Sequence, residues 1–216
     1  MEKADVKFSE WLEQGFNVFK EGAGVLIPAM LIALLLSVFT AGILAGPMAA
    51  GMIIIALRLV DRDANPPQVG DLFKGFDYFA QSFLFYLVAG IVGWVVMLVL
   101  NLVPILGQIA AMFFSYAYWT VLMFAMYLIV DRKMDFWPAA MASFEKVKTN
   151  FWPFFAFGLV TGILGMVGAA FCGIGVIVSM PVAIAMTTVA YRDVFGSNGT
   201  IAVAAEEVVD TPVEAE

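Results

Sequence analysis

The sequence predicts an all-α integral membrane protein with six transmembrane helices, arranged as three hairpins that each follow an amphipathic interfacial helix. Two observations carry this prediction. Hydrophobic residues make up 62% of the 216-residue chain and charged residues only 13%, which is far from the composition of soluble domains. The charges are also unevenly placed, because no Asp, Glu, Lys or Arg occurs in residues 22–57, 78–130 or 149–191.

The three charge-free segments set the number of crossings. They contain 36, 53 and 43 residues, and a helix needs about 20 residues to cross a hydrocarbon layer roughly 30 Å thick. Each segment therefore has room for two crossings, which are helical because the runs are continuously apolar and do not alternate. Turn signals stand near the middle of the segments: AGILAGP at 41–47, NLVPILGQ at 101–108 and FCGIG at 171–175.

An amphipathic stretch precedes each predicted hairpin. In the first, apolar side chains recur at helical spacing: Phe8, Trp11, Leu12, Phe16 and Phe19. Similar stretches begin at Asp71, a candidate N-cap, and at Asp135, where Pro138 suits a first helical turn. Such helices either lie among the lipid headgroups and recognise lipid, or only cover the bundle, and the sequence leaves both interpretations open.

The hairpins end on a recurring arginine: Arg62 in LVDRD, Arg132 in IVDRK and Arg192 in AYRDV. We interpret these as a threefold parallel repeat over residues 5–63, 70–133 and 135–196, within a single membrane domain that covers residues 1–196. Each guanidinium is predicted to lie at the cytoplasmic headgroup interface and to contact either a lipid phosphate or a neighbouring carboxylate. Residues 197–216 are acidic and lack aromatic side chains, so we expect a disordered C-terminal tail.

The basic residues indicate the orientation. Six crossings place both termini on one side, and all eleven Lys and Arg residues then fall on that side. By the positive-inside rule this face is cytoplasmic, which predicts a multi-pass protein of the bacterial cytoplasmic (inner) membrane. The opening MEKADVKFSEWLEQ lacks the pattern of a signal peptide, so none is expected.

The residue types exclude most catalytic chemistry. The chain has no histidine, Cys172 is its only cysteine, and no carboxylate lies within the charge-free segments. We therefore expect no enzymatic activity, no catalytic residue, no metal site and no cofactor. Nucleic acid is also not an expected partner, because the basic residues form no patch with interleaved aromatic side chains.

Two groups of residues are candidates for a site or an interface. Polar side chains within the predicted spans suggest a polar path: Asn101, Gln108, Ser115 and Tyr118. The alternative is that the two amides cap helix ends and that the hydroxyls bond to neighbouring helices. Glycines at helical spacing predict close helix packing, within the chain or with another one: Gly42, Gly46, Gly158, Gly162 and Gly165.

A family resemblance appears in PMAAGMIIIALRLVDRDANPPQVGDLFKGF, residues 47–76, and in MPVAIAMTTVAYRDVFG, residues 180–196. These stretches resemble uncharacterised bacterial polytopic membrane proteins related to the membrane domain of glycerophosphoryl diester phosphodiesterases. The resemblance implies the fold alone, because the phosphodiesterase chemistry of that family belongs to a separate soluble domain. It therefore transfers no catalytic residue.

Two classes of function follow. The first is a non-enzymatic membrane protein that binds lipid, or that serves as an accessory or scaffold component of a membrane complex. The second is a small transporter or channel for an uncharged or lipid-like solute. The expected partners are membrane lipids, with a membrane protein complex or a homo-oligomer as further alternatives. A polar cavity would favour transport, whereas a solid glycine-packed bundle would favour the first class.

Overall fold

The computed structural model describes residues 6–168 and 175–196, which form helices and turns without a strand. The predicted all-helical class is therefore confirmed for this part of the chain. A 3-10 helix (Val69–Tyr78) precedes α3, and the α-helices in chain order are α1 (Phe8–Phe39), α2 (Ala45–Val60), α3 (Phe79–Asn101), α4 (Leu106–Leu122), α5 (Ala125–Arg132), α6 (Phe136–Lys148), α7 (Phe151–Val167) and α8 (Val176–Phe195). The predicted tail at 197–216 and most of the third turn signal, 171–174, lie outside the described residues.

Four helical segments in the described residues are long and apolar enough to cross a membrane: Phe8–Phe39, Val69–Asn101, Leu106–Arg132 and Val176–Phe195. The pair α6 and α7, bent by 112°, adds a fifth if it counts as one span. Helix α2 has 16 residues and covers about 24 Å, which is less than the hydrocarbon layer. The chain is thus compatible with a membrane protein of four or five spans, and the sixth crossing and the threefold repeat stay predictions.

The three amphipathic segments join the spans in different ways. The first does not form a separate helix, because α1 continues unbroken for 32 residues. Trp11 of this segment is buried rather than interfacial; its ring packs edge-on against Phe157, with the centroids 5.2 Å apart. The second segment is the 3-10 helix that leads into α3. The third is α6, which bends sharply into α7.

Six helices form a closed cycle of contacts. Along this cycle, α1 packs against α2, α2 against α3, α3 against α4, α4 against α7, α7 against α8, and α8 against α1. The second helix of each predicted hairpin therefore packs against the first helix of the next one. The remaining elements, α5, α6 and the 3-10 helix, pack at the end of the bundle that carries the charged residues.

The predicted fourth span is interrupted at Met123 and Phe124, between α4 and α5. Ser143 of α6 is fully buried beside this break. Its hydroxyl donates to the carbonyl of Val121 at 2.7 Å and accepts the N–H of Phe124 at 3.2 Å. A side chain from another helix thus supplies hydrogen bonds that the interrupted helix cannot make for itself.

Two glycines bring the 3-10 helix into backbone contact with α2. A Cβ added to Gly51 would lie 1.9 Å from the carbonyl oxygen of Leu72, and one added to Gly75 would lie 1.9 Å from that of Pro47. No side chain fits in either place. This contact gives a structural reason for Gly51 and Gly75 in the stretch 47–76.

Arg58 ties the connection between α2 and the 3-10 helix together. Its guanidinium donates to the Asp63 carboxylate and to the Asn65 carbonyl, both at 2.9 Å, and also contacts Asp71. Asp71 is not the predicted N-cap, because Gln68 holds that position and Asp71 stands three residues later. Asp71 is buried and accepts the backbone N–H of Gln68 at 2.8 Å, as the third helical residue of a capping box does. The polar groups of this turn are therefore satisfied locally.

Candidate functional site

A cavity of about 1050 Å³ lies inside the cycle of helices. All six helices of the cycle line it, together with α5. The lining includes nine of the thirteen methionines of the chain: Met30, Met48, Met52, Met97, Met112, Met123, Met126, Met166 and Met180. Methionine side chains are flexible and polarisable, and they adapt to ligands of irregular shape. No Asp, Glu, Lys or Arg occurs among the described lining residues, which suits an uncharged, largely apolar occupant.

The structure brings three of the four residues of the predicted polar path to one cavity. Asn101, Gln108 and Ser115 line the cavity, but Tyr118 does not. The Tyr118 hydroxyl instead donates to the carbonyl of Ala89 on α3 at 2.8 Å. The Asn101 amide donates within its own helix, to the carbonyl of Met97 at 2.7 Å. The alternative interpretation therefore describes Tyr118 and Asn101 better than a continuous polar path does.

The glycines of α7 form part of the cavity wall. Gly158, Gly162 and Gly165 all line the cavity. A Cβ added to Gly158 would lie 2.7 Å from the Thr120 hydroxyl oxygen, so α7 approaches α4 closely there. Gly162 has more room, because the nearest atom would be 3.9 Å away, on the Tyr116 ring. The packing partners of these glycines belong to the same chain.

The predicted pair Gly42 and Gly46 requires a correction. Gly46 lies on α2 and packs against α3, where an added Cβ would lie 2.9 Å from the backbone of Ser82. Gly42 lies in the turn before α2, with a φ of +88° and no atom within 4 Å of an added Cβ. It serves the turn, because this backbone conformation favours glycine, and it does not contribute to a packed helix face.

Two stacked tyrosines stand between the cavity and the ion-paired residues at the charged end of the bundle. Tyr127 lines the cavity, and its hydroxyl donates to the carbonyl of Ile184 on α8 at 3.2 Å. On its other side the ring stacks against Tyr191, with the centroids 5.2 Å apart. Tyr191 is fully buried and donates to the carboxylate of Asp131 at 2.8 Å. The aromatic pair separates the apolar cavity from the charged residues.

An ion cluster lies at the charged end of the bundle. It consists of Asp61, Asp131 and Arg192, together with Tyr191, which bonds to Asp131. The Arg192 guanidinium binds Asp61 with contacts of 2.8 and 2.6 Å, and Asp131 with contacts of 2.8 and 3.0 Å. The side chains of Arg192 and Asp131 are only 12% and 6% exposed, and that of Asp61 is 29% exposed. Such forked contacts to a guanidinium are among the stronger hydrogen bonds in proteins. One cation thus joins the ends of α2, α5 and α8.

The three repeated arginines are not equivalent. Arg192 is held by two carboxylates and is mostly buried, so lipid headgroups are not its main contact. Arg132 donates to the carbonyl of Phe195 at 2.6 Å, and its guanidinium lies 5.5 Å from the centroid of that ring. Arg62 is exposed, and its predicted contact with a lipid headgroup stays a prediction.

Compared with models of known protein families, with curated proteins and with solved structures, the chain gives no match. The resemblance of residues 47–76 and 180–196 to the phosphodiesterase membrane domain therefore stays a prediction.

The sequence predicted a neighbouring carboxylate as one possible partner of the arginines, but it did not select Asp61 and Asp131 as the acids that bind Arg192. A signal was present, since an aspartate precedes the arginine in two of the three motifs, at Asp61 and Asp131. In the third motif the same place holds Tyr191. A tyrosine there supplies an O–H donor to Asp131, whereas a third carboxylate would add a further negative charge.

Proposed function

We propose that this chain is a non-enzymatic membrane protein that binds a lipid or lipid-like molecule in the cavity between its helices. The single observation that carries the proposal is the cavity of about 1050 Å³ with its methionine-rich, uncharged lining. Its volume lies at the upper end of the range for small-molecule sites, about 300–1,000 Å³. A ligand that partitions into the bilayer reaches such a site without leaving an apolar environment.

The proposed setting is the bacterial cytoplasmic membrane, with six crossings in three parallel hairpins. The cycle of helix contacts supports this, because three related hairpins around one axis would place each second helix beside the next first helix. Helix α2 would be the short crossing, a mismatch that local bilayer thinning accommodates. The ion cluster and the eleven basic residues would then face the cytoplasm.

Transport of an uncharged solute is the second candidate. Asn101, Gln108 and Ser115 on the cavity wall favour it, since they offer hydrogen bonds to a polar solute. The stacked Tyr127 and Tyr191 oppose it, because they stand between the cavity and the charged end of the bundle. Liposomes that contain the protein should take up glycerol no faster than empty liposomes, and faster uptake would support transport instead.

The direct test is purification in mild detergent followed by mass spectrometry of whatever remains bound, lipid or protein. Gly162→Leu should block the site, because the position lines the cavity and an added Cβ meets no atom closer than 3.9 Å. Gly90→Leu is the matched control. It is an exposed glycine on α3, outside the cavity lining, with no atom within 4 Å of an added Cβ.

We expect a lipid bound in about equimolar amount to the wild type and to Gly90→Leu, and its loss from Gly162→Leu. Equal lipid content in the two variants would contradict the cavity as the binding site. A bound protein with no lipid in any variant would favour the accessory or scaffold role.

A further inference from the structure

Part of the cavity wall carries polar hydrogens that have no acceptor among the described residues. Tyr86 of α3 and Trp119 of α4 both line the cavity, and their ring centroids lie 6.4 Å apart. Within the described residues, the Tyr86 hydroxyl and the indole N–H of Trp119 make no hydrogen bond. Other hydroxyls of the lining differ, because Thr120 and Thr161 donate to carbonyls of their own helices at 2.7 and 3.0 Å.

The position of Tyr86 and Trp119 favours a ligand that supplies a hydrogen-bond acceptor. Tyr86 stands seven residues into α3, about 10 Å along the helix from its charged end. Tyr86 is partly buried and Trp119 is 46% exposed, so both donors are accessible to a ligand. In an apolar layer water is scarce, and an accessible donor there is costly when it lacks a partner. An indole N–H only donates, so the partner of Trp119 must contain an acceptor oxygen or nitrogen.

The same wall disfavours a charged group. The described lining contains no cationic side chain that would pair with a phosphate or carboxylate. An anion placed among the methionines would remain uncompensated. A carbonyl oxygen of an ester or ketone meets both conditions, since it accepts hydrogen bonds and carries no charge.

We infer that the cavity holds an uncharged lipid with carbonyl oxygens, which accept hydrogen bonds from Tyr86 and Trp119. This inference rests on the proposed function and specifies the ligand of the same site. Acyl esters and quinones share the required chemistry. The uncharged lining disfavours a fatty acid carboxylate or a phosphate group inside the cavity.

Native mass spectrometry with pairs of added probes tests the inference. Methyl oleate and octadecene are chains of similar length that differ by the ester, and oleate adds the charge. The wild type should bind methyl oleate about three- to tenfold more tightly than octadecene, the range expected for a net gain of one hydrogen bond. Tyr86→Phe should weaken this preference, because Trp119 remains the only donor of the pair, and should leave the affinity for octadecene unchanged.

Tyr118→Phe is the matched control, because the Tyr118 hydroxyl bonds to Ala89 outside the cavity. This variant should keep the preference for the ester. Trp119→Phe should weaken the preference as Tyr86→Phe does, which keeps the test informative if one of the two variants folds poorly. Decylubiquinone serves as a further probe, and tighter binding of it than of methyl oleate would identify a quinone as the source of the carbonyl groups.

Equal binding of ester and hydrocarbon would overturn the inference while leaving the proposed lipid site intact. Tightest binding of oleate would overturn it as well. If Gly162→Leu and the wild type both failed to bind any probe, the proposed function would fail together with the inference.

Discussion

Replacing Arg192 by Ala removes the cation that Asp61 and Asp131 share. Asp131 is 6% exposed and would keep its hydrogen bond from Tyr191, but its charge would lose the guanidinium. Breaking a buried ion pair from one side costs about 3–5 kcal/mol. We expect about 3 kcal/mol, the lower end, because Asp61 is 29% exposed and regains water. For a chain of this length that lowers the melting temperature by about 6–12 °C.

The assay is thermal unfolding in detergent, monitored by circular dichroism or by the loss of the monodisperse peak in size-exclusion chromatography. Arg62→Ala is the control, since this exposed arginine stands in the same motif and should cost less than about 0.5 kcal/mol. Arg192→Lys should recover only part of the loss, because an ammonium cannot make the forked contacts to both carboxylates. Equal melting temperatures for Arg62→Ala and Arg192→Ala would refute the structural role of the ion cluster.

Two further predictions concern packing and orientation. Gly51→Ala should destabilise the protein by about 1–3 kcal/mol, because the added Cβ would lie 1.9 Å from the Leu72 carbonyl oxygen. Gly70→Ala is the control and should be neutral, because a Cβ added there has no atom within 4 Å. Equal melting temperatures of the two variants would contradict the backbone contact. Two cysteine variants test the orientation in a chain whose Cys172 is replaced by Ser. Ile43→Cys should react with an impermeant maleimide added outside intact cells, and Ala64→Cys should not, since residues 43 and 64 lie beyond opposite ends of α2. The reverse labelling would invert the orientation.

The sequence predicted the connections where Gly, Pro or Asn interrupts an apolar run. α1 ends at Phe39, just before the signal in 41–47, and α2 begins at Ala45, within it. α3 ends at Asn101 and α4 begins at Leu106, within the second signal. These breaks are local, so residue type is sufficient to predict them.

Breaks that depend on other helices were not predictable in this way. The interruption at Met123 and Phe124 carries no glycine or proline, and its hydrogen bonds come from Ser143. The burial of Trp11 of α1 against Phe157 of α7 likewise joins residues far apart in the chain, so the predicted interfacial stripe is partly a packed face. Contacts of this kind link distant residues and leave no periodic signal.

The site was predictable only in part for the same reason. The arginine motifs stood out, but 131 residues separate Arg192 from Asp61, and nothing in the spacing selects that pair over others. The methionines of the cavity had the appearance of ordinary apolar residues, because in a membrane helix apolar side chains face lipid, neighbours and cavities alike. Only the helix packing shows that nine of them line one space.

Photo-cross-linking with a membrane-soluble lipid probe, mapped by mass spectrometry, tests most directly whether a lipid occupies the cavity. A diazirine in the acyl chain reacts with whatever residue lies beside it. We predict adducts on cavity residues such as Met52 and Met126, and their loss in Gly162→Leu but not in Gly90→Leu. Adducts confined to outward residues such as Trp94 and Leu98, unchanged by Gly162→Leu, would contradict the proposal that the cavity binds lipid.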